Sequence, residues 1–236
     1  MRFSTQKNVR IPSTEEFFGN GFTVLPSLRL KPEHSYNLNL GFNSLLNSGS
    51  YPNLMVDVNG YAMWMRDMIR MVAASILYVH SNVDRVRIFG VDAELQAALQ
   101  PWASLRLSAS YQDARNDARQ LLGGGLNSFY GWRVPNMPYH FGNGLGDFHL
   151  SDLFPPVRFE GSFFFEVAFT ERYSYDWATS VRNTLYVPRR WTMHLGFYGH
   201  YQLAFEVHNL VDREPMAEFN YPLPGRTFHL KLKYTL

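Results

Sequence analysis

Eight histidines are the residues of this 236-residue chain most able to do chemistry. His140, His149, His194, His200, His208 and His229 fall on polar positions of alternating segments or in turns. No two histidines have the His-x-x-x-His spacing of a helical zinc site. The pattern points to structural or solvated roles, and no catalytic or metal-binding residue is assigned. A Ser-His-acid site is dispersed in sequence by nature and stays open, although the Gly-x-Ser-x-Gly turn that would mark its nucleophile is missing. Gly123, Gly124 and Gly125 lack the strand and helix that frame a phosphate loop, and read as a flexible loop. Arg158, Glu160, Glu166, Glu206, Lys231 and Lys233 share polar strand faces, which could line a solute path or simply a hydrated interior. The best binding candidates are aromatic residues in long loops, where flat amphipathic rings meet the medium. From Phe129, Tyr130, Trp132, Tyr173, Tyr175, Trp177, Phe219 and Tyr221, the candidate ligand-binding set is Tyr130, Trp132, Tyr173, Tyr175, Trp177 and Tyr221. The competing reading places these rings in an aromatic belt at a membrane interface.

The elements that must hold these residues are strands. In Arg226 to Leu236, Phe228, Leu230, Leu232, Tyr234 and Leu236 alternate with Thr227, His229, Lys231, Lys233 and Thr235. That period of two sends alternate side chains to opposite faces, and the length approaches the roughly 9 to 11 residues that cross a bilayer at a tilt. His34 to Asn43 repeats the design, with Tyr36, Leu38, Leu40 and Phe42 against Asn37, Asn39 and Asn43. Further strands are expected over Asn53 to about Met65, Ile76 to Leu99, Ala103 to Ala114, Pro138 to Leu150, Val157 to Thr170, Trp191 to Tyr198 and Tyr201 to Asn209. Residues 2 to 9 are a tenth candidate, and Arg66 to Ala74 fits strand and helix equally. Within Ile76 to Leu99 the apolar phase slips at Phe89-Gly90, from Val86 and Ile88 to Val91, Ala93 and Leu95, as one extra bulge residue would cause. Arg10 to Asn20, with Ser13 or Thr14 as N-cap and Gly19 as a stop, is expected to form one helical turn in a loop.

Connections alternate in length: short near 44–52, 100–102, 151–156 and 199–200, long near 116–137, 171–189 and 211–225. In a meander every second connection lies at the same end, so the short turns share one rim and the long loops the other. The expected fold is therefore all-β, an antiparallel up-and-down transmembrane β-barrel of which residues 1–236 supply about nine to ten strands in one domain. A soluble β-sandwich binding module shows the same alternation and is the alternative.

Composition narrows the classes. A formal charge of +2 with scattered basic residues argues against a nucleic-acid partner. Cysteine is absent, which removes disulfides and thiolate sites. Mean hydropathy is that of a water-soluble protein, as it is for a barrel that averages two faces. Met63 to Val79, the most apolar run, is broken by Arg66, Asp67 and Arg70, so no helical span is expected. Met1 to Arg10 lacks the apolar core of a signal peptide, and no cofactor is implied.

Several segments resemble the C-terminal part of TonB-dependent outer-membrane receptors. Leu28 to Gly41, Leu-Arg-Leu-Lys-Pro-Glu-His-Ser-Tyr-Asn-Leu-Asn-Leu-Gly, is similar to the family's N-x-x-L-K-P-E-x-S-x-x-x-E-L-G. The preceding Arg10-Ile-Pro-Ser-Thr-Glu-Glu-Phe-Phe-Gly is similar to R-x-P-T-x-x-E-L-F-G. Asn82 to Leu95 resembles N-V-x-x-A-R-x-x-G-V-E-x-E-L, and Asn209-Leu-Val-Asp with Tyr221-Pro-Leu-Pro-Gly-Arg resembles N-L-F-D and Y-P-x-P-G-R. Four motifs in the family's order cover essentially the whole chain. Val211 stands where the family has Phe, and Leu236 where many members end in Phe. The resemblance implies a roughly 22-stranded barrel around a plug, with plug, TonB box and signal peptide unmatched in this sequence. It implies cell outer-membrane localisation and receptor-type uptake of a scarce solute, such as an iron-siderophore, cobalamin or a glycan. The implied partners are outer-membrane lipid, a small-molecule ligand such as a metal chelate, and the inner-membrane TonB energising complex acting through the plug. Enzymatic activity is not implied; an outer-membrane hydrolase is the remaining alternative.

Overall fold

The computed structural model describes residues 1–47, 49, 51–74, 77–120, 125–149, 159–171, 173–174, 177, 189–197, 201–210, 212, 216–218, 221–222 and 224–235. At 73–74, 83–84, 159–160, 189–197, 216–218 and 221–222 the description is of the backbone. The elements run β1 (Arg2–Arg10), α1 (Thr14–Phe18), β2 (Val24–Leu25), β3 (Glu33–Leu46), β4 (Asn53–Ala74), β5 (Leu77–Gln100) and β6 (Ala103–Asn116). They continue through β7 (His140–His149), β8 (Phe159–Thr170), β9 (Arg189–Phe197), β10 (Tyr201–His208), β11 (Met216–Glu218), β12 (Tyr221–Pro222) and β13 (Thr227–Tyr234).

Ten strands form one antiparallel sheet in the order β1-β3-β4-β5-β6-β7-β8-β9-β10-β13, with β2 added parallel to β5. Each long strand pairs with the next in the chain, so residues 2–10 are the tenth strand and the topology is an up-and-down meander. A sandwich needs a second sheet packed on the first. Among the described residues the other sheet is only the β11–β12 hairpin. The outer edges of β1 and β13 carry no strand among the described residues, so the wall is open there rather than closed into a barrel.

Register assigns the faces. Leu230 pairs with Phe205, Phe205 with Met193, Met193 with Phe163 and Phe163 with Phe148, an unbroken apolar row across five strands. Opposite it, Glu206 faces His229, Ser108 faces Asn143, and Asp57 faces Glu94. The apolar side is the one built to meet lipid, and the polar side lines the interior. Along β4 the outward apolar face from Leu54 to Trp64 spans about 33 Å of strand, or roughly 25 Å in height at a tilt near 40°. Exposed aromatics mark its limits: Tyr36 and Trp64 toward the long loops, Tyr201 and Tyr234 toward the short turns.

Arg66 to Ala74 is strand, continuing β4 beyond the apolar band. The phase slip at Phe89-Gly90 is not a bulge. Phe89 and Gly90 pair in unbroken register with Ala62 and Tyr61 on one side and with Asp113 and Gln112 on the other. The apolar residues change face instead: Val86 and Ile88 point inward into a cluster with Met68, Ala114 and Val134, whereas Val91, Ala93 and Leu95 point outward. Above the lipid band water covers the outer face and a loop covers the inner one, so the preference inverts without an inserted residue. Gly90 is required by close approach, since a Cβ there would lie 2.3 Å from the Tyr61 ring and 2.7 Å from the Tyr111 carbonyl oxygen.

The expected helical turn is α1. The Ser13 hydroxyl accepts from the Glu16 N–H at 3.3 Å and the Glu16 carboxylate accepts from the Ser13 N–H at 2.7 Å, a capping box. Gly19 ends the turn at φ 69°, where a side chain is strained.

Candidate functional site

The long-loop rim is where the candidate residues lie. Its best described part is the connection from β6 to β7. The Asn116 N–H donates to Trp132 O at 2.9 Å, the Gly131 N–H to Asn116 O at 2.8 Å and the Val134 N–H to Ala114 O at 2.9 Å, so the returning limb extends the β6 ladder. Two buried asparagines fold the tip. Asn127 Nδ2 donates to Ala118 O at 2.8 Å, Asn127 Oδ1 accepts from the Phe129 N–H at 3.0 Å, and Asn116 Oδ1 accepts from the Ala118 N–H at 3.0 Å. These bonds satisfy backbone groups that a buried loop would otherwise strand. Arg70 donates to Pro135 O, and the Asn136 N–H donates to Ser174 O at 2.8 Å, tying this loop to β4 and to the next loop.

An apolar floor lies beneath. Met68, Val86, Ile88, Ala114 and Val134 are buried together, with Tyr61, Met63, Met65, Met137 and Trp177 packed around them. Trp177, packed on this floor, joins two further aromatic rings. Phe129 lies 5.5 Å from Trp132 at 76° and 5.5 Å from Trp177 at 31°, separations at which ring quadrupoles attract. Trp132 remains 53% exposed, so its indole face is open to the medium.

The predicted set therefore divides. Trp132 and Trp177 are brought together through Phe129. Tyr130 turns to Arg119, whose Nε donates to its hydroxyl at 3.4 Å and whose guanidinium lies 5.5 Å from its ring. Tyr173 is half-buried in the loop after β8. Tyr175 and Phe219 lie outside the described residues, and Tyr221 is described only through its backbone pairing with Glu218. Exposed strand aromatics such as Tyr36 and Trp64 occupy the positions of an interfacial girdle. Sequence reasoning missed Arg119, Asn127 and Tyr139. Tyr139 is 4% exposed with the Arg133 guanidinium 3.3 Å from its ring, and burial holds its hydroxyl above the ordinary tyrosine range. Asn127 carried the one legible signal, an asparagine among loop glycines.

Three histidines have carboxylate neighbours among the described residues. His140 Nδ1 lies 2.5 Å from Glu171, His149 Nε2 3.5 Å from Asp147 and His208 Nε2 3.2 Å from Glu206. Glu206 also accepts from Lys231 at 3.0 Å. Glu166 is half-buried and Lys233 exposed; Arg158 and the Glu160 side chain lie outside the described residues. No group of three or more His, Asp or Glu side chains is arranged to hold a metal among the described residues.

A family model described as TonB dependent receptor-like, beta-barrel matches residues 1–210. The copper transporter OprC superposes with a TM-score of 0.66 at 16% identity, over 99% of this chain and 36% of that one. The ferric yersiniabactin uptake receptor FyuA from Yersinia pestis gives 0.64 at 14% identity, over 97% and 32%. The hemophore receptor HasR from Serratia marcescens, solved with its hemophore and heme, gives 0.61 at 16% identity, over 98% and 36%. This chain thus spans about a third of the length of these structures. No curated protein sequence matches it. An open meander with one apolar and one polar face, loops on one rim, and a family match over most of its length place the chain in the TonB-dependent receptor family, as part of the β-barrel.

Proposed function

We propose that this chain supplies wall and outward loops to an outer-membrane receptor that imports a scarce solute, an iron-siderophore, cobalamin or a glycan, powered by the TonB complex through a plug. The observation that carries the reading is the exposed Trp132 side chain, packed on Phe129, which in turn packs on Trp177 above an apolar floor. It offers a broad, flat, amphipathic surface at the rim, suited to a ligand bearing aromatic or sugar rings. The names of the structural neighbours, which refer to copper, ferric siderophores and heme, favour a metal or metal chelate. The protein binds and passes its ligand without chemical change, so no residue is given a catalytic role.

Uptake assays test this. Cells carrying the whole receptor should accumulate labelled ligand in an energy-dependent way and lose most of that uptake when Trp132 and Phe129 are both alanine. The chain expressed alone should transport nothing. Energised uptake by the chain alone, or unaffected uptake in the double variant, would contradict the proposal.

A further inference from the structure

Five of the chain's nine methionines lie on β4, at Met55, Met63, Met65, Met68 and Met71. Three of them meet at the rim. Met68 is buried with Val86 and Ile88, Met63 and Met65 pack against that cluster from the same strand, and Met137 reaches it from the β6–β7 connection. Four flexible thioethers thus gather around a few β-branched side chains. An apolar floor has no need of them, since Leu, Ile and Val fill such space with better defined rotamers.

What the methionines add is sulfur. Each thioether is a neutral, polarizable lone-pair donor, and such ligands select soft ions such as Cu(I) over the hard ions that carboxylates hold. Met63 faces Ile88 and Met65 faces Val86 across the ladder, so both sulfurs lie on the inner side, and Met63, Met65 and Met137 are only partly buried. Asn37 faces Met63 from the next strand and shares its face. Its Oδ1 is buried with no hydrogen-bond partner among the described residues. A buried acceptor without a donor needs an explanation, and a cation held by the neighbouring sulfurs supplies one.

We propose that Met63, Met65, Met68 and Met137 form a site for a soft monovalent metal ion, Cu(I) or its analogue Ag(I), with Asn37 Oδ1 as an oxygen neighbour. The inference deepens the receptor reading, on which it rests, by naming one class of solute. No carboxylate or imidazole is among the ligands, so protons do not compete for them and binding is flat from about pH 5.5 to 7.5.

The full chain in chloride-free detergent solution, titrated with Ag(I), which needs no reductant, provides the test. Met63→Leu with Met65→Leu, and separately Met68→Leu with Met137→Leu, keep the apolar volume and remove sulfur, a swap that cores tolerate. Each pair should weaken silver binding at least about tenfold, the loss that follows removal even of an outer-shell partner of a metal ligand. Strand content by circular dichroism should match wild type in both. Met193→Leu, in the apolar row of the outer face, should bind silver as wild type does, and Zn(II) should not compete. X-ray absorption at the silver edge should show sulfur scatterers in wild type that are lost when all four rim methionines are leucine. Equal silver affinity of wild type and both paired variants overturns the site, as does an equal loss in Met193→Leu or competition by Zn(II). A fall in affinity on acidification through the histidine range overturns the sulfur assignment. Failure of wild type to bind silver overturns the inference and leaves the receptor reading to its own uptake assays. Silver binding without energised metal uptake by the whole receptor supports the site and contradicts the receptor reading.

Discussion

Arg10 grips Glu33 with both arms, Nε to Oε2 at 2.6 Å and Nη2 to Oε1 at 2.9 Å, so the last residue of β1 is locked to the first of β3. The same carboxylate accepts the Ile69 N–H at 2.5 Å, while Arg10 Nη1 reaches both Glu16 oxygens at 3.0 Å. One carboxylate thus joins three segments at the loop rim. Replacing Glu33 by alanine strips the buried Ile69 N–H of its acceptor and should cost about 1–3 kcal/mol. Unfolding of the lipid-embedded protein by denaturant measures this, and a change below a few tenths would show that the clamp is ornamental.

The helical turn α1 should resist acid. Burial alone would raise the Glu16 carboxyl, but the Ser13 N–H and then Arg10 outweigh it and hold the group below the usual carboxylate range. A depressed folded-state value contributes stability that is complete above the unfolded value and disappears as pH falls through the folded one. Amide exchange at Glu16 and Phe17, whose N–H groups are bonded to Ser13, should therefore stay slow until pH drops below about 4, the ordinary glutamate range. Fraying that begins near pH 6 would contradict this assignment.

Gly90→Ala should destabilise the wall. The new methyl meets the Tyr111 carbonyl as well as the Tyr61 ring, and the ring can swing whereas the ladder carbonyl cannot. Overpacking of this kind costs about 1–3 kcal/mol. Adding Tyr61→Ala should recover only the part due to the ring, and full recovery would mean the backbone contact is harmless.

Asn127→Ala should loosen the rim without touching the sheet. It removes the acceptor of the Phe129 N–H and the donor to Ala118 O in a buried loop, a loss of about 1–3 kcal/mol. Exchange protection at 127–131 should fall while β4 to β6 keep theirs. Loss of protection across both would show the loop to be part of the sheet's own cooperative unit.

Much of this architecture was legible because alternation is a strong local signal. Tyr36, Leu38, Leu40 and Phe42 against asparagines can only be one strand with two unlike faces. The Ser13 cap and Gly19 stop were equally local. What misled was the assumption that one face stays apolar along a whole strand. Val86 and Ile88 face inward because loop residues such as Val134 cover them, a tertiary fact that no window of β5 contains. The rim site was half legible for the same reason: loop aromatics could be named, but their meeting at Phe129 depends on hydrogen bonds between distant loops.

The central claim is that alternate residues of this sheet face lipid and water. With no native cysteine, single spin-labelled cysteines can be placed at Leu107 and Ser108 of β6, and at Leu40 and Asn39 of β3. In membranes, labels at Leu107 and Leu40 should collide with dissolved oxygen and be shielded from a water-soluble nickel chelate, with the reverse at Ser108 and Asn39. Equal access of both reagents at all four positions, or water access at Leu107 and Leu40, would contradict the claim that this sheet is a membrane wall.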